Sequence, residues 1–320
     1  MSMHPERSLV SIVTPSFNQA GFIEGTMRSV LDQDYPHVEY LVLDGGSTDG
    51  SAGIIQQYAP RLAYWTSGPD KGQADAINRG WRVAKGEILA YLNADDQYLP
   101  GTVARAVAFF ERHPEVGVVY GSCYSVLPAG VRYQYVPTDF SLERLMVENF
   151  IPQPAVFIRR SVLDQVGLLD DSLHYCLDYE LWLRAALAGV RFSRIEGPAL
   201  ASFRIWPGSK TSDDPERWIN ERLQVMERAF AHERAPRNAD PLKILARAKA
   251  YLSMAYGVSV CGDLRSVRVL LKRAFQAMPS IIGDPQFLSL AGAALIGRRG
   301  SHLVRQVKWA ILNWRESAMR

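Results

Sequence analysis

An apolar run ends in two adjacent carboxylates at Glu87-Ile88-Leu89-Ala90-Tyr91-Leu92-Asn93-Ala94-Asp95-Asp96. A short apolar run of this kind is typical of a buried strand in a parallel sheet. Open α/β sheets bind ligands just outside the carboxyl ends of their strands, which is where Asp95 and Asp96 lie. Two neighbouring carboxylates repel each other unless a cation lies close to them. The pair therefore indicates a divalent metal that links Asp96 to a diphosphate. A solvated loop or a helix cap is the alternative for such a pair taken alone.

The first 120 residues alternate between strand and helix patterns. The predicted strands are Leu9–Thr14, Val38–Leu43, Leu62–Trp65, Glu87–Leu92 and Val116–Tyr120. The predicted helices include Ala20–Leu31, Gly72–Ala84 and Thr102–Arg112. Strands that alternate with helices predict an α/β fold, with a mostly parallel, Rossmann-like sheet and helices on both of its faces.

The remainder of the chain changes character twice. Residues 125–212 contain strand-like segments around a helix at Leu177–Ala188, and almost everything after Asp213 has helical periodicity. Within that last part, Tyr251–Val260 and Val267–Met278 resemble a single helix-turn-helix pair, which does not establish a repeat. We therefore predict two domains, an α/β domain over residues 1–212 and an all-helical, basic appendage over residues 213–320.

The composition is that of an ordinary globular protein, with 48% hydrophobic and 22% charged residues. Its three cysteines lie far apart without CxxC spacing, which argues against a disulfide framework or a zinc site and favours a reducing compartment. The first residues lack the charged-then-apolar pattern of a signal peptide. The apolar run Phe287–Ile296 is too short to cross a bilayer. We therefore expect a cytoplasmic protein.

The net charge of +3 conceals two parts of opposite sign, since residues 232–320 carry +10 and residues 1–231 carry −7. Drawn as a helix, residues 301–320 place Trp309 and Leu312 beside cations and away from the apolar stripe. This arrangement suggests a peripheral contact with anionic lipid at the inner face of the membrane, or with another protein. A helix packed on both faces is the alternative. Nucleic acid is not an expected partner, because no recognised DNA- or RNA-binding motif accompanies the charge.

Three loops should meet at the carboxyl ends of the first strands: Thr14–Asn18, Asp44–Gly50 and Asn93–Asp96. The first supplies an aromatic ring, Phe17, that can stack on a base. The second supplies Asp44, which can accept a hydrogen bond from a base or a ribose, although a simple strand-to-helix turn is equally compatible with it. Together with the paired acids of the third loop, these groups predict a nucleotide pocket. Neither GxGxxG nor GxxxxGK[ST] follows the first strand, so a dinucleotide fold and a P-loop are not supported.

Several motifs occur in order and with regular spacing. They are Ser11-Ile12-Val13-Thr14-Pro15-Ser16-Phe17-Asn18, Ser29-Val30-Leu31-Asp32-Gln33, Asp44-Gly45-Gly46-Ser47-Thr48-Asp49-Gly50, Gly72-Gln73-Ala74-Asp75-Ala76-Ile77-Asn78-Arg79-Gly80, Leu92-Asn93-Ala94-Asp95-Asp96, Gln153-Pro154-Ala155-Val156-Phe157 and Asp178-Tyr179-Glu180-Leu181-Trp182-Leu183-Arg184. Through them, residues 8–212 resemble the family 2 inverting glycosyltransferases, whose fold is GT-A. The resemblance implies a nucleotide-sugar donor and a divalent cofactor, Mn²⁺ or Mg²⁺.

The resemblance also implies roles for individual residues. Asp178 would be the general base, Asp96 would bind the metal and Asp95 would reach the ribose. The expected donor-binding residues are Thr14, Pro15, Phe17, Asn18, Asp44, Lys71, Asn78, Asp95, Arg204 and Lys210. Gln153 and Pro154 would line the acceptor site, or Gln153-Pro154 would merely start a strand. Glu180 lies about 200° around the helix from Asp178, so we expect it to form a structural pair and not to share catalysis.

The chain departs from the family pattern at three positions. Gly45 stands where the family often has a second acid, Leu177 replaces the usual Glu before the base, and Ile77 replaces a frequent Arg. Loss of that Arg shifts the neutralisation of phosphate to Lys71, Arg79 or Arg204.

The expected function is transfer of a sugar from a nucleotide-sugar, with UDP as the expected nucleotide and dTDP or GDP left open. The acceptor would be a saccharide or a lipid-linked saccharide in cell-surface polysaccharide synthesis. A non-catalytic module that binds sugar nucleotides or saccharides is the alternative.

Overall fold

The fold was examined in a computed structural model, which describes residues 8–127, 130–206, 210, 214–236, 239–260 and 262–296. The strands are β1 Val10–Ser16, β2 Val38–Asp44, β3 Tyr64–Ser67, β4 Ile88–Tyr91, β5 Gln97–Tyr98, β6 Val118–Gly121, β7 Cys123–Val126, β8 Arg132–Tyr135, β9 Val156–Arg159, β10 Phe192–Ile195 and β11 Ala201–Arg204. The helices of the α/β part are α1 Ile23–Leu31, α2 Ser51–Tyr58, α3 Gln73–Val83, α4 Thr102–Arg112, α5 Leu142–Val147, α6 Arg160–Val166 and α7 Leu177–Leu187. The later helices are α8 Pro215–Phe230, α9 Asp240–Val260, α10 Leu264–Ala277 and α11 Pro285–Ile296.

A seven-stranded sheet with the order β10-β6-β9-β4-β1-β2-β3 forms the centre of the α/β part. β1 lies between β2 and β4, parallel to both, and every residue of β1 and β4 is buried. The apolar run quoted above is therefore a central strand, as predicted. Because chain order reverses on the two sides of β1, the carboxyl ends of β1, β2 and β4 form a switch point, where open α/β sheets bind ligands.

One strand of this sheet runs against the rest. β9 is inserted between β4 and β6 and is antiparallel to both. The sheet is thus mostly parallel, as predicted, while the direction of β9 could not be read from its short apolar run. α1, α3 and α4 pack their apolar sides on the sheet through Met27, Trp81 and Phe110, each of which is buried.

A second, four-stranded sheet has the order β5-β11-β7-β8. β11 is antiparallel to β5 and parallel to β7. β5 follows Asp96 directly. Its pairing with β11 brings Arg204 to the loop Asn93–Asp96, which carries the predicted metal ligand. No sequence pattern predicted that these four strands form one sheet.

By internal contacts the described chain divides into two compact units, residues 1–142 with 149–205, and residues 143–148 with 206–320. Helix α5 thus belongs mainly to the second unit, which differs from its place in the predicted α/β domain. The predicted boundary at residue 212 falls among residues that the structure does not describe.

The second unit is helical. α9 and α10 enclose an apolar cluster that includes Leu252, Val258, Val267 and Leu270, and the Asp263 carboxylate accepts a hydrogen bond from the Ser266 N–H at the start of α10. Over the described ranges, no helix has both the length and the apolar character needed to cross a membrane. The predicted basic helix at residues 301–320 lies outside those ranges.

Candidate active site

Asp96 occupies a buried position just after β4. It is 4% exposed; Oδ1 accepts a hydrogen bond from the Arg204 N–H at 3.2 Å, and Oδ2 accepts one from Asn93 Nδ2 at 3.3 Å. Burial, followed by the charge of Asp95, raises the pKa of Asp96 well above its usual value. A buried carboxylate whose charged form is disfavoured in this way is stabilised by a nearby cation.

The loop that carries Asp96 is fixed by side chains from three other segments. The Thr26 hydroxyl lies 2.8 Å from the Ala94 carbonyl oxygen and 2.7 Å from that of Asp96. Gln73 Nε2 donates to Asn93 Oδ1 at 2.7 Å. These contacts hold the carboxylate in place before any ligand arrives. Thr26 and Gln73 were not among the predicted site residues, because nothing in a local pattern shows that a helix side chain will reach this loop.

Gln153 also belongs to this network. Its Nε2 donates to the Tyr91 carbonyl oxygen at 2.8 Å, and its Oε1 accepts from Asn93 Nδ2 at 3.3 Å. Gln153 was predicted to line the acceptor site, but both ends of its amide are engaged inside the protein. Its observed contacts therefore support a positioning role. Pro154, the other predicted acceptor residue, is buried.

Asp178, the predicted general base, lies in the first turn of α7. Its Oδ1 accepts a hydrogen bond from the Tyr179 N–H at 2.7 Å, and Asn149 Nδ2 lies 3.4 Å from Oδ2. Burial raises the pKa of Tyr91, and the charges of Asp178 and Asp96 raise it further. The charges of both carboxylates therefore influence the same phenol, that of Tyr91 at the end of β4, and the role of Asp178 as the base stays a prediction.

Glu180 forms the structural pair that the sequence predicted. Arg184 Nε and Nη2 each lie 2.8 Å from a Glu180 carboxylate oxygen. Arg184 also donates to the backbone carbonyl groups of Val166, the last residue of α6, and of Gly167 and Leu168, which follow it. Glu180 therefore has a structural role, since it orients the Arg184 that links α7 to the end of α6.

Asp44, at the end of β2, is 2% exposed and organises the loop that follows it. Its Oδ2 accepts from Gly46 N at 3.2 Å, Ser47 N at 2.9 Å and Ser67 Oγ at 2.7 Å, and its Oδ1 accepts from Ser47 Oγ at 2.5 Å. Burial acts to raise the pKa of this carboxyl, but the hydrogen bonds from Ser47 and Ser67 outweigh it and the pKa is lowered. The predicted nucleoside acceptor thus already accepts four internal hydrogen bonds, and its contact with the donor stays a prediction.

The loop after β1 presents one exposed aromatic ring, Phe17, which is 61% exposed. The neighbouring Asn18 has a left-handed backbone with φ of 52°, donates its N–H to Ser47 Oγ at 2.7 Å and accepts from the Thr48 N–H at 2.9 Å. Asn18 thereby links the loop after β1, which carries Phe17, to the loop after β2. Thr14 and Pro15 are buried, and the Thr14 hydroxyl accepts a hydrogen bond from the Tyr40 phenol at 2.9 Å.

Arg204 offers the positive charge next to Asp96. Its guanidinium lies 5.1 Å from the centre of the Phe22 ring. Its Nε is buried, with no hydrogen-bond partner among the described residues. A buried guanidinium donor without a partner is costly unless a ligand uses it, and oxyanions are the usual ligands of such a group.

Two other predicted donor-binding residues occupy different settings. Asn78 is buried, and its amide donates to the Leu169 carbonyl oxygen at 2.9 Å and accepts from the Leu169 N–H at 3.0 Å. This geometry gives Asn78 a structural role, and its predicted contact with the donor stays a prediction. Lys71 is exposed at the turn before α3. Lys210 belongs to the second compact unit, and its role stays a prediction.

The residues around Asp96 supply only some of the ligands that a divalent ion needs. Nowhere in the described ranges do three or more His, Cys, Asp or Glu side chains gather to hold a metal. Buried Asp96 beside Asp95 supplies charge and hard oxygen atoms, which suit Mg²⁺ and Mn²⁺. Such a site would need further oxygen ligands, which a diphosphate provides.

Comparison with known proteins identifies the family. Residues 11–167 match Glycosyl transferase family 2. An uncharacterized glycosyltransferase of Mycobacterium tuberculosis is 34% identical over 181 residues, which are 56% of this chain and 69% of the relative. A PGL/p-HBAD biosynthesis glycosyltransferase of Mycobacterium bovis is 30% identical over 213 residues, which are 65% of this chain and 82% of the relative.

Two solved structures share the fold at low sequence identity. The S. aureus TarS fragment in complex with UDP-GlcNAc has a TM-score of 0.63 at 19% identity and covers 95% of this chain and 92% of its own. The mannosyltransferase PcManGT of Pyrobaculum calidifontis, in complex with GDP-Man and Mn²⁺, also has a TM-score of 0.63, at 20% identity, and covers 96% of this chain and 86% of its own. The chain therefore belongs to glycosyltransferase family 2 and is a glycosyltransferase with the GT-A fold.

Proposed function

We propose that the protein is a metal-dependent inverting glycosyltransferase that moves a sugar from a nucleotide-sugar to a saccharide or lipid-linked saccharide in cell-surface polysaccharide synthesis. UDP is the proposed nucleotide. The observation that carries this proposal is the buried Asp96 carboxylate after β4, which accepts the Arg204 N–H beside an Arg204 Nε that has no hydrogen-bond partner among the described residues. The UDP-GlcNAc and GDP-Man in the TarS and PcManGT structures support a nucleotide-sugar as the donor.

The donor nucleotide would lie across the ends of β1 and β4. Phe17 offers an exposed ring on which a base can stack, a contact worth about 1–3 kcal/mol in nucleic-acid complexes. Asp95 would meet the ribose. Arg204, with its unused buried Nε, would bind the diphosphate.

Asp96 would hold Mn²⁺ or Mg²⁺ together with the diphosphate oxygens, and the ion, when bound, neutralises charge on the leaving nucleoside diphosphate. Asn93 and the Arg204 N–H hold the Asp96 carboxylate at the site. Because the described protein groups supply few ligands, metal and nucleotide should bind together.

Asp178 would take the proton of the attacking acceptor hydroxyl. The bond from the acceptor oxygen to the anomeric carbon forms as the bond from that carbon to the phosphate oxygen breaks, and the nucleoside diphosphate leaves with the electron pair. A single displacement from the opposite face inverts the anomeric centre and needs no covalent intermediate.

The direct test is to incubate the protein with UDP-, GDP- and dTDP-sugars and Mn²⁺ or Mg²⁺, and to follow nucleotide release and transfer to saccharide acceptors. Proton NMR of the product gives its anomeric configuration. We expect metal-dependent release and a product of inverted configuration. A retained configuration would overturn the inverting mechanism. Nucleotide binding without release or transfer to any acceptor would favour the non-catalytic binding module.

The predicted basic helix at residues 301–320 leads us to propose peripheral attachment at the inner face of the membrane. Deleting residues 301–320 should reduce co-sedimentation with vesicles that contain anionic lipid, since each Lys or Arg near such a surface contributes about 1 kcal/mol. Donor hydrolysis should persist in the truncated protein. Neutral vesicles are the control, and unchanged co-sedimentation with anionic vesicles would remove the attachment hypothesis.

A further inference from the structure

The space beside Gly45 is filled by a carboxylate from a different loop. β2 and β3 are parallel, with Asp44 opposite Ser67, and the Gly68 N–H donates to the Asp44 carbonyl oxygen at 3.0 Å. The loops that follow these two strands are therefore in contact. A Cβ atom at position 45 would lie 2.8 Å from Asp70 Oδ2 and 3.2 Å from Asp70 Cγ. The Asp70 carboxylate thus occupies the place that a side chain at position 45 would enter.

Asp44 is a poor candidate for accepting hydrogen bonds from the donor nucleoside. Its two oxygens already accept from Gly46, Ser47 and Ser67, and it is 2% exposed. Four hydrogen bonds already reach this buried carboxylate, three of them at Oδ2. Gly45 contributes no acid at the next position. On this side of the pocket, the nucleoside therefore needs another acceptor.

Asp70 has acceptor capacity to spare. It is half-buried, and its Oδ1 accepts from the Gly72 N–H at 2.8 Å. Its Oδ2, the oxygen nearer to Gly45, accepts none of the hydrogen bonds observed within the described ranges. Asp70 lies at the carboxyl edge of β2 and β3, and open α/β sheets bind ligands at the carboxyl edge of their strands.

We infer that Asp70 binds the donor nucleoside, accepting a hydrogen bond from a ribose hydroxyl or a base N–H in place of the second loop acid that Gly45 lacks. The inference rests on the proposed function of the same site. It makes Asp70 a binding and specificity residue that a linear motif does not reveal, because the carboxylate arrives from the neighbouring strand.

The test uses calorimetric titration of UDP into the full-length protein with Mn²⁺ present. Asp70→Asn keeps an oxygen for the Gly72 N–H and removes the second acceptor. We expect UDP binding to weaken roughly ten- to hundredfold, the loss expected for a hydrogen bond to a charged group. Asp75→Asn is the matched control, since within the described ranges Asp75 accepts only the Lys71 N–H of the same turn, at 3.2 Å. That variant should bind UDP as the wild type does.

Deoxynucleotides identify the atom that Asp70 meets. If the partner is a ribose hydroxyl, wild-type protein should lose affinity for 2′-deoxy-UDP or 3′-deoxy-UDP by the same factor, and Asp70→Asn should no longer discriminate against that analogue. If the partner is a base N–H, Asp70→Asn should weaken the binding of UDP and of both analogues by the same factor.

Moving the acid provides an independent check. Gly45→Asp alone should weaken binding, because its new side chain meets the Asp70 carboxylate at less than 3 Å. The double variant Gly45→Asp with Asp70→Gly should recover affinity relative to either single variant, as expected for coupled residues.

The outcomes separate this inference from the proposed function. Wild-type protein that binds none of UDP, GDP or dTDP would remove both. Wild-type binding with unchanged affinity in Asp70→Asn would overturn only the role of Asp70. Equal weakening in Asp70→Asn and Asp75→Asn would assign Asp70 to the turn, which also overturns the inference.

Discussion

Replacement of the proposed base gives the sharpest prediction about chemistry. Asp178→Asn preserves an oxygen that can accept the Tyr179 N–H, now 2.7 Å from Oδ1. It removes one negative charge from the first turn of α7, where an acid contributes about 0.3–1 kcal/mol to helix stability. The fold should therefore change little. The amide cannot accept a proton at neutral pH, so the loss should fall on the chemical step.

General-base catalysis contributes on the order of 10²–10⁴ in rate. Since each factor of ten corresponds to about 1.4 kcal/mol, the barrier should rise by about 3–5 kcal/mol in Asp178→Asn. The assay is the initial rate of transfer at saturating donor, with nucleotide affinity measured separately by calorimetry. We expect the rate to fall by this factor while nucleotide affinity stays within about twofold of the wild type.

Glu180→Gln on the same helix is the control. It disturbs a doubly hydrogen-bonded ion pair with Arg184, so it should lower the free energy of unfolding by about 1–3 kcal/mol and leave the transfer rate per folded molecule unchanged. If Asp178→Asn loses nucleotide binding, or if it keeps more than a tenth of the wild-type transfer rate, the assignment of Asp178 as the base is wrong.

Two further predictions concern the polar groups that frame the site. Asn78→Ala leaves the N–H and carbonyl groups of Leu169 without partners, so the free energy of unfolding should fall by about 2 kcal/mol or more in urea denaturation. Nucleotide affinity of the folded variant should not change, and a selective loss of affinity would support the predicted donor contact. Hydrogen bonds lower the pKa of Asp44 despite its burial, so its stabilising effect is present above about pH 4 and is lost as the pH falls through the folded-state pKa. Between pH 7 and 3 the unfolding midpoint should fall less steeply in Asp44→Asn than in the wild type, and equal slopes would contradict this reasoning.

Strong apolar patterns made the central elements predictable. Helix α4 has the predicted bounds, and β1, β2 and β4 differ from their predicted bounds by no more than two residues at either end. All side chains of β1 and β4 are buried, as are those of β2 from Tyr40 onward, so the apolar run along the chain corresponds directly to the strand. The positions of the three loops at one edge then followed from the parallel direction of the strands.

The apolar patterns did not predict which strands pair when they lie far apart in the sequence. β5 has two residues and pairs with β11 more than a hundred residues later, and β9 enters the main sheet antiparallel between β4 and β6. Short strands have weak local preferences, and their partners are chosen by tertiary packing. This pairing is what places Arg204 beside Asp96.

The hydrogen-bond partners of individual polar side chains could not be predicted from the sequence either. Asn78 and Gln153 belong to motifs of the family, yet both amides are engaged by backbone groups inside the protein. A sequence shows that such a residue needs partners, but only the fold shows whether a ligand or a buried backbone group provides them. The same reasoning explains why Asp70, beside Gly45, emerges only from the structure.

The central claim is that Asp96 joins a divalent ion to the diphosphate of the donor. The most direct measurement is calorimetric titration of UDP, with GDP and dTDP in parallel, in the presence and absence of Mn²⁺, on wild-type protein and Asp96→Asn. The variant keeps an oxygen that can accept the Arg204 N–H, so its fold should persist. We predict that Mn²⁺ strengthens nucleotide binding to the wild type and has no such effect on Asp96→Asn. Equal strengthening by Mn²⁺ in both proteins would contradict the claim.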